Sequence, residues 1–210
     1  MRTLSCQPHC QPDRQQGAVL LTALFVLLAL MILGVSAARS ALSSEKSARH
    51  ERDRHIAFNA AEAALADAEH DIEGGNDRSS RRAAMFARGS ALGFVDGCGA
   101  EEEVNAGLCL HTPVQPAWLS ADLSGNDGLA AAGVAYGRFT GAQLPAGKGT
   151  LPLRAPRYLI ELLPHTQAGA DAARPPGNFY RITAVGFGAL DATRVVLQSF
   201  YLKAASEEEA

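Results

Sequence analysis

The residues of this 210-residue chain whose types could do chemistry are four cysteines, six histidines, a lysine set between glycines and a run of glutamates. Cys6 and Cys10 flank His9 near the start, but a tetrahedral metal site built on that pair needs two more ligands, and none is nearby. Lys148 in Gly147-Lys148-Gly149-Thr150 invites a phosphate-loop reading. That motif needs a glycine five residues before the Gly-Lys pair and a hydroxyl directly after it. Gly141 is one residue too far away and Gly149 occupies the hydroxyl position, so the reading fails. Gly186-Phe187-Gly188 lacks a third glycine and a following helix, and reads as a hairpin turn. Gly34-Val35-Ser36 falls inside an apolar run, which excludes a nucleophile elbow. The histidines show no HExxH or other short ligand spacing, and His50 and His55 read as solvated helix residues. Glu101-Glu102-Glu103 could hold a cation such as calcium, but a charge run in a loop reads first as solvated surface. No catalytic, cofactor-binding or metal-ligating set emerges, and an enzyme is disfavoured.

Cys98 and Cys109 are different. They lie in a loop rich in glycine and acid, GFVDGCGAEEEVNAGLCLHT. In an oxidising compartment the expected outcome is a disulfide closing that loop, with two free buried thiols as the alternative. Such a closure contributes roughly 2–4 kcal/mol, mostly through the unfolded state.

The element that decides the compartment is the stretch 18–38, AVLLTALFVLLALMILGVSAA, which carries no charge. As a helix it is roughly 30 Å long, enough to cross the hydrocarbon core of a bilayer. A cleaved secretory signal has a shorter apolar region, of about 7–15 residues, so this run is too long for one. A plain signal anchor and a leader cut at Gly17, on the near side of the run, both fit. The net charge of −3 and a pI near 6.1 give no reason to expect nucleic acid as a partner.

Beyond 38 the helical pattern continues to 73. Phe58, Ala61, Leu65, Ala68 and Ile72 recur at intervals of three and four and form one stripe, with Asn59, Asp67 and His70 expected to point away. Glu45 is spaced to pair with Arg49, and Arg49 with Asp53. No proline interrupts residues 18–73, which predicts one continuous helix of roughly 80 Å, apolar all round in its first half and amphipathic in its second. Gly74-Gly75-Asn76-Asp77 ends it.

Residues 80–88 read as a short helix, and Trp118 as a partly buried anchor. Residues 134–140, 157–163, 179–187 and 193–202 read as strands, the third with Tyr180, Ile182 and Ala184 on one face and Arg181 and Thr183 on the other. These patterns predict an α+β fold, with a small antiparallel sheet packed on the amphipathic half of the long helix. The expected divisions are a leader at 1–17, a transmembrane helix at 18–38, its amphipathic continuation at 39–77, a periplasmic α+β domain at 78–205 and an acidic tail at 206–210. An exposed loop rich in Ala, Gly and Pro is expected over 164–177.

Three features then agree on a family. The first is a short polar leader ending in Gly17, and the second is the uninterrupted apolar helix that begins at Ala18. The third is the run Asp53-Arg54-His55-Ile56-Ala57-Phe58-Asn59-Ala60-Ala61-Glu62-Ala63-Ala64-Leu65, in which Phe58, Ala61, Glu62 and Leu65 carry the match. Together they resemble the N-terminal region of PilX-type minor pilins, and RITAVGFG…RVVLQSFYL resembles that family's C-terminal hairpin. The resemblance implies a pilin-like fold and cleavage by prepilin peptidase between Gly17 and Ala18. It also implies a single helix in the inner membrane with the C-terminal domain in the periplasm, followed by entry into a pilus. The partners implied are other minor pilins, the major pilin and a tip adhesin. One departure stands out: pilins usually carry glutamate at the fifth position after the cut, which here is Thr22. K-type pseudopilins of type II secretion also lack it, so a pseudopilin is the nearest competing reading. A membrane-anchored periplasmic enzyme is the competitor from another class.

Overall fold

The computed structural model describes residues 17–87, 89–100, 103–123, 133–165 and 178–203. The expectations for the leader, with Cys6, His9 and Cys10, for Glu101 and Glu102, for most of the 164–177 loop and for the 206–210 tail lie outside the described residues. The elements run α1 (Ala18–Ile72), α2 (Arg81–Met85), β1 (Leu108–Leu110), α3 (Ala117–Ser120), β2 (Val134–Ala135), β3 (Arg157–Leu163), β4 (Phe179–Phe187) and β5 (Arg194–Leu202). The fold is α+β. Two compact units divide the chain, Met1–Arg49 and His50–Ala210.

The first unit is the helix over residues 18–49. Gly17 precedes it at φ 110°, a region open to glycine at little cost, and its carbonyl accepts from the Leu21 amide at 3.3 Å. Every side chain from 18 to 49 is exposed, the apolar ones included. A helix apolar all round has no self-consistent place in water, because each uncovered leucine forfeits about 1.5–3 kcal/mol of burial. It is long and apolar enough to cross a membrane, and Gly34 sits in it with open space around its missing Cβ.

In the second unit, residues 50–72 of α1 pack against one face of the sheet. The face is built from alanines: Ala57, Ala60, Ala61, Ala64 and Ala68 are all buried. Small side chains let helix and sheet come together closely. A Cβ at Gly186 of β4 would stand 2.0 Å from the Ala57 carbonyl oxygen and 2.4 Å from the Ala61 amide. Past Ala68 the contact widens to larger groups, where Ile72, Phe86, Phe94, Tyr158 and Tyr180 fill the core. Phe86 meets Phe94 and Tyr180 edge-on, while Phe94 and Tyr180 stack at 5.9 Å. Helix α1 then stops in a Schellman arrangement: the Gly75 amide reaches the His70 carbonyl and the Gly74 amide that of Asp71.

The sheet order is β1-β3-β4-β5, with β2 also pairing to β3. β3, β4 and β5 form the expected antiparallel meander, in register at Ile160↔Ile182 and Ala184↔Leu197. The sheet is mixed rather than wholly antiparallel, because β1 lies parallel to β3 at Cys109↔Glu161. β4 is central and buried on both faces from Ile182 onward, whereas β5 is an edge strand whose alternate residues are exposed.

Two expected elements are shorter than predicted. The strand placed at 134–140 is only Val134–Ala135, since Gly137 takes φ 76° and the chain turns there. The helix placed at 80–88 is Arg81–Met85, capped by Ser80, whose hydroxyl accepts from the Ala83 amide at 3.1 Å.

Candidate functional site

Helix α1 positions three aspartates on its sheet-facing side. Asp53, Ala57, Ala60, Ala64, Asp67 and Asp71 follow one another at intervals of four, three, four, three and four, so they share one face. All are buried. Asp67 therefore points inward, not away as the apolar stripe suggested, and Phe58 is 38% exposed instead of lying on that stripe. Of the other motif residues, Ala61 is buried, Leu65 half-buried and Glu62 exposed.

Each carboxylate fastens a different part of the chain. Asp53 Oδ1 accepts from the backbone amides of Ala189 at 2.5 Å and Leu190 at 3.2 Å, and so holds the β4–β5 turn. Its Oδ2 is buried without a hydrogen-bond partner among the described residues. It does not pair with Arg49, which takes Glu45 at 2.5 Å instead. Asp67 accepts from the Gly137 amide at 2.7 Å and from the Thr140 hydroxyl, which is what bends the chain after β2. Loss of water raises the Asp67 pKa above the usual carboxylate value, against the pull of the Thr140 and Gly137 donors.

Asp71 is wholly buried and bonded to Arg82 of α2, and it accepts from the Tyr158 hydroxyl at 3.0 Å. Arg82 also donates to the carbonyls of Val104 at 3.0 Å and Ala106 at 2.9 Å, inside the loop between the two cysteines. Its guanidinium lies 4.1 Å from the Phe139 ring centroid and 5.2 Å from that of Phe86. One side chain thus ties the helix, the cysteine loop and the turn after β2. Burial, then the charge of Asp71, raise the Tyr158 pKa well above the ordinary tyrosine value.

Cys98 and Cys109 are joined by a disulfide. Cys109 sits in β1 and is fully buried; Cys98 is held at φ 70°, an uncommon conformation for a residue with a Cβ. The bond packs with Ala117, Trp118 and Leu159 on the sheet face opposite α1, which makes Trp118 a half-buried anchor. Nearby, Glu161 of β3 is fully buried and shared between Arg181 at 2.6 Å and His111 at 2.7 Å.

At its far end α1 is clipped to β5. Lys203 Nζ donates to the Ile72 carbonyl at 2.7 Å, a cation on the negative end of the helix, and the Tyr201 hydroxyl donates to Glu73 at 2.7 Å. Burial lowers the Lys203 pKa although Glu73 opposes the change. These contacts engage Asp67, Asp71, Arg82, Glu161 and Lys203 in holding the fold. Among the described residues no three His, Cys, Asp or Glu side chains gather as a metal site.

In the first unit, Thr22 donates its hydroxyl to the Val19 carbonyl one turn back, at 2.9 Å. Position 22 is therefore satisfied within its own helix and presents no charge. Sequence reasoning missed Asp53, Asp71, Arg82 and Glu161. The signal for the first two was in plain view: aspartates in phase with the alanines.

Two family models match the chain. One, described as PilX N-terminal, covers residues 16–66; the other, described as type IV pilus assembly protein PilX C-term, covers residues 98–203. No curated protein and no solved structure matches it.

Proposed function

The chain belongs to the PilX family of type IV pilus assembly proteins, and from that premise we propose that it is a minor pilin acting at or near the pilus tip. The family is a structural component of pilus assembly, and in the described second unit Asp67, Asp71, Arg82 and Glu161 are engaged in holding the fold. In the proposed sequence of events, prepilin peptidase removes residues 1–17, and residues 18–38 hold the subunit in the inner membrane with its second unit in the periplasm. The subunit then joins other minor pilins, carries or contacts a tip adhesin, and is followed by the major pilin.

The observation that carries the tip position is Thr22. In pilins the glutamate at this place offsets the terminal amine of the subunit above, within the apolar core of the filament. Here the side chain is a hydroxyl already bonded to Val19. An interior copy would leave its upper neighbour's ammonium unpaired in an apolar surrounding, which costs several kcal/mol or forces deprotonation. A subunit inserted first has no neighbour above and needs no carboxylate, while those added below still serve the amine of Ala18.

Immunogold labelling of sheared pili tests this reading. Label near one end, with far fewer copies than the major pilin and fewer pili when the gene is lost, is the expected result. Label spread evenly along the shafts would overturn it.

A further inference from the structure

Immediately after the apolar stretch, residues 39–49 read RSALSSEKSAR. All eleven are helical and exposed. They carry three cations, Arg39, Lys46 and Arg49, against Glu45, the only carboxylate between residues 18 and 50. Glu45 is taken by Arg49 at 2.5 Å. Arg39 and Lys46 have no ion-pair partner among the described residues. Arg39, Ser43 and Lys46 are spaced four and three apart and so lie on one helix face: two unpaired cations with a hydroxyl between them.

We propose that this face binds the phosphates of anionic phospholipids at the membrane surface beyond residue 38. The inference rests on the reading that residues 18–38 lie in a bilayer, and it adds a lipid class to that reading. Arg39 is the first residue past the apolar run, so its guanidinium stands at the headgroup level. Lys46 is about 10 Å further along the axis, and its aliphatic stem lets the ammonium reach back toward the headgroups. Both then fall within about one Debye length of the surface, 8–10 Å at physiological salt. Charge decides the partner. The face has cations and hydroxyl donors without a free carboxylate, so it complements a net-negative headgroup and gains little from a zwitterionic one. It is also continuous with the segment that the acyl chains cover, so phosphate and hydrocarbon can be engaged by one lipid.

Lysine chemistry gives a direct test, because the chain has only three lysines: Lys46, Lys148 and Lys203. The full chain is reconstituted into vesicles of phosphatidylcholine alone, or of phosphatidylcholine with one quarter phosphatidylglycerol. It is treated with a water-soluble acetylating ester, and Lys46 modification is read by mass spectrometry relative to exposed Lys148. The expected result is a Lys46/Lys148 ratio about fivefold lower with phosphatidylglycerol, recovering in 0.5 M salt. Glu45→Gln, which frees Arg49, should deepen the protection, and Arg39→Gln should weaken it. Equal ratios in the two vesicles, from chains that resist extraction by alkaline carbonate, would overturn the lipid proposal alone. A chain washed out of both vesicles would overturn the membrane reading itself, and this proposal with it.

Discussion

Asp71 and Arg82 form a buried ion pair, Oδ2 to Nη2 at 2.6 Å, with the aspartate side chain wholly enclosed and the arginine 5% exposed. Two charges removed from water are stable together only when their remaining valences are also met. Tyr158 completes Asp71, while the carbonyls of Val104 and Ala106 complete Arg82.

Arg82→Met should therefore cost about 3–5 kcal/mol, because it leaves the Asp71 charge enclosed and uncompensated. Adding Asp71→Leu should recover part of that loss, since it removes the stranded charge while the Tyr158 hydroxyl and the Val104 and Ala106 carbonyls lose their partners. Urea denaturation of the full chain in mild detergent, compared across the two single variants and the double, measures the coupling. A double variant no better than Arg82→Met would show that the arginine acts through its loop contacts instead.

Gly186→Val should destabilise the second unit by about 3 kcal/mol or more, since even its Cβ would fall inside contact distance of the Ala57 and Ala61 backbone. The same denaturation experiment reads it. A near-neutral effect would mean that helix and sheet separate easily, contrary to the close packing of their small residues.

The aspartates and alanines explain how much of this was legible. The long helix, its end at Gly74, the β3–β4–β5 meander and the α+β class follow from spacing and turn chemistry that act locally. The buried helix face was legible in part: Ala61, Ala68 and Ile72 of the expected stripe are buried, but Phe58 is exposed and Asp67 turns inward. Large apolar side chains such as Phe58 dominate a periodicity argument, yet here the sheet selects the smallest ones, and the aspartates sharing their phase are buried with them. Nor could β1 be read: three residues, Leu108–Leu110, owe their strand geometry to β3 some fifty positions later. Arg82 looked like an ordinary charge on a short helix because its partners lie 11, 22 and 24 residues away.

Removing the disulfide with Cys98→Ser and Cys109→Ser should cost roughly 2–4 kcal/mol. The loss should appear first as proteolysis within the 98–109 loop. Non-reducing peptide mapping of the mature protein should return the two cysteines in one linked peptide pair. Both thiols free to alkylating reagent would contradict the bonded form.

Alkaline pH should destabilise the second unit. Burial raises the hydroxyl pKa of Tyr180 and of Tyr201 to about 12, against an ordinary value of 10. The folded chain thus keeps protons that the unfolded chain releases. The stability these two hydroxyls contribute is intact below pH 10 and is lost as the pH rises toward 12. Thermal melts over that range, with tyrosinate absorbance followed in parallel, should show melting temperature falling as ionisation appears. Tyrosinate forming near pH 10 in a fully folded chain would refute the assignment.

Gly17→Arg should leave the precursor uncleaved and pili reduced, because prepilin peptidase requires a small residue before the cut. Sequencing of the wild-type mature protein should begin at Ala18. A start at Met1 would reject the processing step, and a start beyond residue 38 would make the apolar helix a removable signal.

The bonds that fix α1 to the last strands span great lengths of chain: Asp53 to Ala189 is 136 residues, and Lys203 to Ile72 is 131. Loop closure over such distances comes late in folding. During synthesis the helix of the second unit emerges early, with its alanine face bare, and waits for the final hairpin to arrive. A chain broken off before β5 would keep its apolar helix yet never close its domain. Completion is thus registered at the C-terminus, and only a chain carried through β5 can close the body of the second unit.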